Sequence, residues 1–180
     1  MAILKPLQVL VADDDVDAAE MYRVTLEARG HTVTVALDGQ QCLNSYTAAF
    51  GKSENARKGT QLPFDAVILD YKMPIMNGLE VAKEILKTNP SQRIIFASGF
   101  VKETLMESVR ELNQVMELIQ KPFEPEVLVD LVEDISTLSS MNDLNSLAAG
   151  MMKKNDQAAD DSQIDKLLRL MKKIQKPGTI

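Results

Sequence analysis

Five short apolar runs punctuate the chain, at residues 7–12, 32–36, 64–70, 93–98 and 115–119. Most are continuous rather than alternating, the pattern of parallel strands covered on both faces. The run at 32–36 is β-branched as well. Between and after them lie stretches with helical spacing, at 16–29, 39–50, 78–88, 102–112 and 124–138. In the first of these Val16, Ala19, Tyr22 and Leu26 share one face, and Gly30 is the expected stop. Asn89-Pro90 ends the third, because the residue before a proline is biased away from the helical region. Residues 51–61 are polar, contain two glycines and read as a loop. Strands alternating with helices predict right-handed crossovers and an α/β doubly wound parallel sheet.

The pattern changes near position 140. Residues 140–162 are rich in Ser, Asn, Asp and Met without clear periodicity, and read as a flexible, at most weakly helical linker. Residues 162–175 read as an amphipathic helix opened by a Ser162/Asp165 capping pair. Ile164, Leu167, Leu168, Met171 and Ile174 form its apolar face, while Lys166, Arg169, Lys172, Lys173 and Lys176 make the rest basic. The expected organisation is one domain over 1–139 and a helical tail over 140–180.

Charge reinforces that boundary. The 180-residue chain has a net charge of -6, yet residues 140–180 hold seven Lys/Arg against five Asp. The overall balance argues against nonspecific nucleic-acid binding by the whole chain. A hydrophobic content of 45% is enough for a core. No apolar run approaches the roughly 20 residues that span a bilayer, and the first residues do not resemble a secretory signal. The one cysteine, Cys42, rules out an intramolecular disulfide framework and a multi-cysteine zinc site, so a cytoplasmic location is expected. Cys42 and the single histidine, His31, read as structural residues, and the ten methionines as core fillers.

The ends of the apolar runs carry the candidate chemistry. The first ends in Asp13-Asp14-Asp15, the third in Asp70, the fourth in Ser98, and the fifth is followed by Lys121-Pro122. In a parallel sheet these ends converge on one rim, where such folds place their sites. Gathered carboxylates repel, and a hard divalent cation relieves that repulsion. Asp70 is then a candidate nucleophile toward a phosphoryl group, with Lys121 and Ser98 as hydrogen-bond donors to its oxygens. Singly, each residue has a plainer reading: an N-terminal helix acid, a loop acid or a solvated lysine. Together, at matching strand ends, they favour the site.

Val11-Ala12-Asp13-Asp14-Asp15, Ile68 through Gly78, Ala97-Ser98-Gly99 and Lys121-Pro122-Phe123 resemble the receiver domain of two-component response regulators over residues 5–139. That resemblance implies a flavodoxin-like five-stranded sheet of order 2-1-3-4-5 with five helices. It implies Asp70 as phosphoacceptor and Mg2+ bound by Asp13, Asp14, Asp70 and the Lys72 backbone carbonyl. Ser98 becomes the switch hydroxyl, Lys121 the phosphate-sensing ammonium, and Lys121–Pro122 a cis peptide. The implied partners are a sensor histidine kinase or phosphotransfer protein, docking around Ala18, Ala19 and Tyr22, and a downstream output protein reached through residues 102–138. A homodimer is a further expected partner, and a membrane is not. The protein is expected to be a phosphoacceptor that phosphorylates and dephosphorylates itself, not a metabolic enzyme.

Three features depart from the family pattern. Leu118 stands where an aromatic residue is common, Gly99 follows Ser98 where alanine is common, and 51–61 looks inserted. Lys72 and Phe100 occupy variable flanking positions expected to tune phosphoryl lifetime. Two other functions fit parts of the chain. A transcriptional regulator could contact DNA through the basic tail. A phosphatase of the aspartyl-phosphate type usually carries a second acid two residues after its nucleophile, where this chain has Lys72.

Overall fold

The computed structural model describes residues 5–53, 58, 61–153, 159–175 and 177–180. Five strands form one sheet: β1 (Gln8–Ala12), β2 (Thr32–Ala36), β3 (Ala66–Asp70), β4 (Ile94–Ser98) and β5 (Glu117–Gln120). The sheet is parallel and its order is β2-β1-β3-β4-β5, as the sequence resemblance implies. β3 and β4 are buried at every position and β1 at all but its first, so no alternation survives in their sequences. Seven helices occur among the described residues: α1 (Val16–Ala28), α2 (Gly39–Lys52), α3 (Gly78–Thr88), α4 (Val101–Leu112), α5 (Pro125–Glu133), α6 (Thr137–Lys153) and α7 (Asp161–Ile174). By internal contacts the chain divides into two units, Met1–Ile95 and Phe96–Ile180.

In the first unit β1 is central, paired in parallel with β2 and with β3. α1 packs on β1 and β2, and α2 packs on α3. α1 ends as expected, with Gly30 at φ +91, a conformation glycine adopts without penalty. Its buried face is Ala19, Tyr22 and Leu26, but Val16 is 58% exposed and leaves that face. The reason is position: Val16 is the first residue of the helix, directly after its cap. Burial also removes Ala19 and Tyr22 from any docking surface; the exposed large apolar residues of α1 are Val16, Met21 and Val24. α2 continues through Lys52, beyond its expected end. Of the expected loop at 51–61, residues 54–57, 59 and 60 lie outside the described residues.

Beneath α2 a polar network is fully enclosed. Tyr46 donates its hydroxyl to Gln92 Oε1 at 2.9 Å, and Gln92 Nε2 donates to the Phe64 carbonyl at 2.9 Å. His31 is also structural: it is 5% exposed, and its Nδ1 accepts from the Leu7 N–H at 3.2 Å.

In the second unit α4 packs on β5, and α7 packs on both α4 and α6. The expected helix over 124–138 is two pieces, α5 and α6, separated where Asp134 turns the chain. Asp134 accepts from the Ser136 N–H at 3.1 Å and from the Thr137 hydroxyl at 2.7 Å. The segment read as a linker is largely α6, and the expected boundary at 139/140 falls inside it. Its Ser, Asn and Asp residues are weak helix formers. Met141, Leu144 and Ala148 nevertheless repeat at helical spacing and are buried, so packing overrides propensity. α7 begins earlier than read: Asp160, not Ser162, is its cap, and Gln163 closes the capping box with bonds of 2.9 and 3.0 Å. Among the described residues no helix is long and apolar enough to cross a membrane.

Cys42 is fully buried in α2. Burial pushes its thiol up to about 12 from an ordinary 9.0, with Asp38 adding to the shift. Desolvation moves Tyr46 in the same direction. A raised folded value contributes stability that is whole below the unfolded value and is lost as pH climbs through the folded one. Urea-unfolding free energy is therefore expected to decline above about pH 9, with Cys42 contributing at most ~1.4 kcal/mol per pH unit. Cys42→Ala should flatten that decline; equal slopes in the two proteins would contradict the assignment.

Candidate functional site

β1 and β3 run in register, with Ala12 beside Leu69. The next residues of each, Asp13 and Asp70, therefore arrive together. One carboxylate oxygen from each of Asp13, Asp14 and Asp70 lies within 4.8 Å of the others. Asp13 and Asp70 are 2% and 7% exposed, whereas Asp14 faces solvent. Three hard oxygen donors at this spacing, one open to water, suit a hard divalent cation of the Mg2+ kind, which keeps part of its own water shell.

The third acid of the run has another task. Asp15 caps α1, accepting from the Asp17 and Ala18 N–H groups at 3.0 and 3.2 Å. The plain reading of an acidic run as a helix N-terminus thus holds for Asp15 alone. Asp13 is oriented in turn, with its Oδ1 accepting from the Asp15 N–H at 3.0 Å.

The loop after β3 is shaped by close approach. Gly78, the first residue of α3, has its N–H on the Tyr71 carbonyl at 3.1 Å. A Cβ at Gly78 would sit 2.4 Å from the Asp70 carbonyl oxygen, so only glycine fits beneath the acid. Asn77 caps α3 in a reciprocal box with Glu80, both bonds at 2.9 Å. Tyr71 and Met73 are buried and anchor the loop, while Lys72 is exposed.

In the second unit, Ser98 ends β4 and is 3% exposed. Its Oγ accepts from the Phe100 N–H at 3.0 Å and pairs with the Thr104 hydroxyl at 2.8 Å. Thr104 Oγ1 also lies 2.9 Å from the Phe100 carbonyl, so its one proton serves one of two acceptors and the Ser98–Thr104 bond is open to either direction. Thr104 is fully buried in the first turn of α4, and its one signal in the sequence is a second hydroxyl six residues after Ser98. Lys121 follows β5, is half-buried, and its N–H donates to the Ser98 carbonyl at 2.9 Å. The Lys121–Pro122 peptide is cis, as expected. Phe100 is 54% exposed and Leu118 fully buried.

A family model described as the response regulator receiver domain matches residues 9–133, and the chain belongs to that family. It is 27% identical over 130 residues to the chemotaxis protein CheY of Thermotoga maritima, covering 72% of this chain and 97% of that one. It is 30% identical over 125 residues to the response regulator MprA of Mycolicibacterium vanbaalenii, covering 69% of this chain and 48% of that protein. A third relative is the hybrid signal transduction histidine kinase I of Dictyostelium discoideum, 28% identical over 131 residues, 71% of this chain but 7% of the kinase. The chain thus spans about half of one of these relatives and a small part of another. Among solved structures, the receiver domain of Francisella response regulator 1452 matches at 26% identity and a TM-score of 0.55, over 70% of this chain and 93% of that one.

Ile75, in the loop after β3, has a strained backbone. It lies at φ +70, a region a β-branched residue rarely enters, with 88% of its surface exposed. Ile75→Asn, which tolerates that conformation and loses little packing, is expected to stabilise the protein by about 1 kcal/mol. A raised urea midpoint with unchanged slope would show it; an unchanged or lower midpoint would refute it.

Proposed function

We propose that this chain accepts a phosphoryl group on Asp70 and uses it to switch a partner. The carrying observation is the Asp13, Asp14 and Asp70 cluster within 4.8 Å, with Asp70 ending β3, in a member of the receiver family. A carboxylate oxygen of Asp70 attacks phosphorus, and the bond from phosphorus to the donor atom breaks with its electron pair leaving on the donor. The donor class is the phosphohistidine of a sensor histidine kinase or phosphotransfer protein. Asp13, Asp14, Asp70 and the Lys72 carbonyl would hold Mg2+, which when bound offsets the carboxylate charge and draws charge from the phosphoryl oxygens.

Ser98 and Lys121 are the proposed reporters. Ser98 offers a hydroxyl whose oxygen is held by the Phe100 N–H and paired with the Thr104 hydroxyl. Lys121 supplies a charge-assisted bond. Each favours the phosphorylated conformation by what it gains there and nowhere else. Water ends the signal by cleaving the acyl phosphate, a timer rather than metabolic turnover. Lys72 and Phe100, both exposed, would set how easily that water enters. We assign the receiver chemistry to residues 1–139 and treat 140–180 as an extension acting through protein contacts, in a cytoplasmic protein. For a kinase the accessible large apolar residues of α1 are Val16, Met21 and Val24. A DNA-contacting tail is not favoured, since the whole chain carries -6.

Intact mass after incubation with Mg2+ and acetyl phosphate tests the reading. One phosphoryl adduct is expected on wild type, absent from Asp70→Asn and from wild type in chelator. An adduct on both proteins would move the acceptor away from Asp70. No adduct on either, with a histidine kinase donor also failing, would end the proposal.

A further inference from the structure

β5 is the last strand of the sheet, so one row of its backbone groups faces no further strand. Such a row is a ready template for another chain. Here the chain's own C-terminal residues take it. The Leu118 N–H donates to Gln175 Oε1 at 3.2 Å, and Gln175 Nε2 donates back to the Leu118 carbonyl at 2.6 Å. Two residues on, the Gln120 N–H donates to the Thr179 carbonyl at 2.6 Å. Gln175 and Thr179 are 3% and 1% exposed. A carboxamide thus reproduces the two-point pairing of a neighbouring strand.

The preceding helix is seated as well. α7 buries Ile164, Leu167 and Met171 and packs on α4 and α6. Lys102, in the first turn of α4, pairs with Asp165 at 2.9 Å across partly exposed side chains. The basic residues Lys166, Arg169, Lys172 and Lys173 point outward. The tail is therefore a docked cover, not a free arm.

Both holds adjoin the groups read above as reporters. Gln120 precedes Lys121, whose N–H is bound to the Ser98 carbonyl. Lys102 belongs to the turn that Ser98 Oγ holds through Phe100 and Thr104. We propose that residues 161–175 and 177–180 are a releasable cover on the outer edge of β5, docked in the unphosphorylated protein and displaced when Asp70 carries a phosphoryl group. The inference rests on the receiver reading for its trigger. Ser98 and Lys121 drawn toward a phosphoryl group shift the first turn of α4 and the Gln120–Lys121 backbone, the points that hold Asp165 and Thr179. The surface that changes hands is the Leu118 to Gln120 edge with the adjoining flank of α4. Coupling is reciprocal, so a loosened cover must favour the phosphorylated state by the same factor.

The experiment is amide hydrogen exchange at Leu118 and Gln120 in the full chain with Mg2+, before and after acetyl phosphate, with intact mass read in parallel. Exchange at both amides is expected to be slow at first and to rise about tenfold or more on phosphorylation, with no rise in Asp70→Asn. Gln175→Ala should raise it without any donor. It should also lower the acetyl phosphate concentration for half-maximal adduct, on the order of fivefold. Asp165→Asn, at a partly exposed ion pair, should give the same direction should Gln175→Ala fail to fold. Unchanged exchange in wild type whose mass shows the adduct overturns the release. Absence of the adduct with acetyl phosphate and with a histidine kinase donor alike overturns the receiver reading and the trigger together, and is recognised by mass alone. Gln175→Ala and Asp165→Asn both exchanging like wild type overturn the cover itself.

Discussion

The register of β1 against β3 sets a problem that much of the first unit answers. Pairing Ala12 with Leu69 carries two acids, Asp13 and Asp70, off adjacent strand ends into a nearly closed place, with Asp14 beside them. Buried like charges are unfavourable unless something offsets them. The strands cannot slip to separate them, because one residue of slip would turn every side chain to the opposite face. The local backbone is fitted to the acids instead. Gly78 lets α3 begin against the Asp70 carbonyl, and the Asp15 N–H holds one oxygen of Asp13. The result is a cluster of three carboxylates held close together, two of them buried. On the function proposed above, a bound divalent cation would offset part of that negative charge and so favour the approach of a phosphoryl group.

The parts of this arrangement that were legible in the sequence share a physical cause. Parallel strands covered on both faces must be apolar throughout, so β1, β3 and β4 announce themselves as unbroken runs. A polar residue at the end of such a run is conspicuous by contrast, which is why Asp13, Asp14, Asp70 and Ser98 could be picked out from spacing. The division of labour within the acidic run could not. Asp15 differs from its neighbours only in where the first turn of α1 presents its N–H groups.

What stayed hidden depends on tertiary contact. α6 has the composition of a linker, and only the burial of Met141, Leu144 and Ala148 makes it a helix. Thr104 is an ordinary helical threonine until β4 brings Ser98 under it. Gln175 is the clearest case. Nothing in its neighbours distinguishes it, and its role exists only because β5 is an edge whose Leu118 amide and carbonyl need partners. Buried backbone groups are almost always paired, but the sequence does not say by whom.

Leu118 joins these threads. In the family its position often holds an aromatic side chain, and an aromatic ring with a polar tip can report two environments by turning between them. A leucine that is fully buried has one environment and no polar tip. Its side chain cannot carry such a message. Its backbone can, because both of its polar groups end on Gln175, and the next edge amide, Gln120, ends on Thr179. Any movement of the Lys121 backbone reaches these bonds within one residue, without a rotamer change. On the release proposed above, strand edge and tail, rather than a ring and its pocket, are the element with two positions.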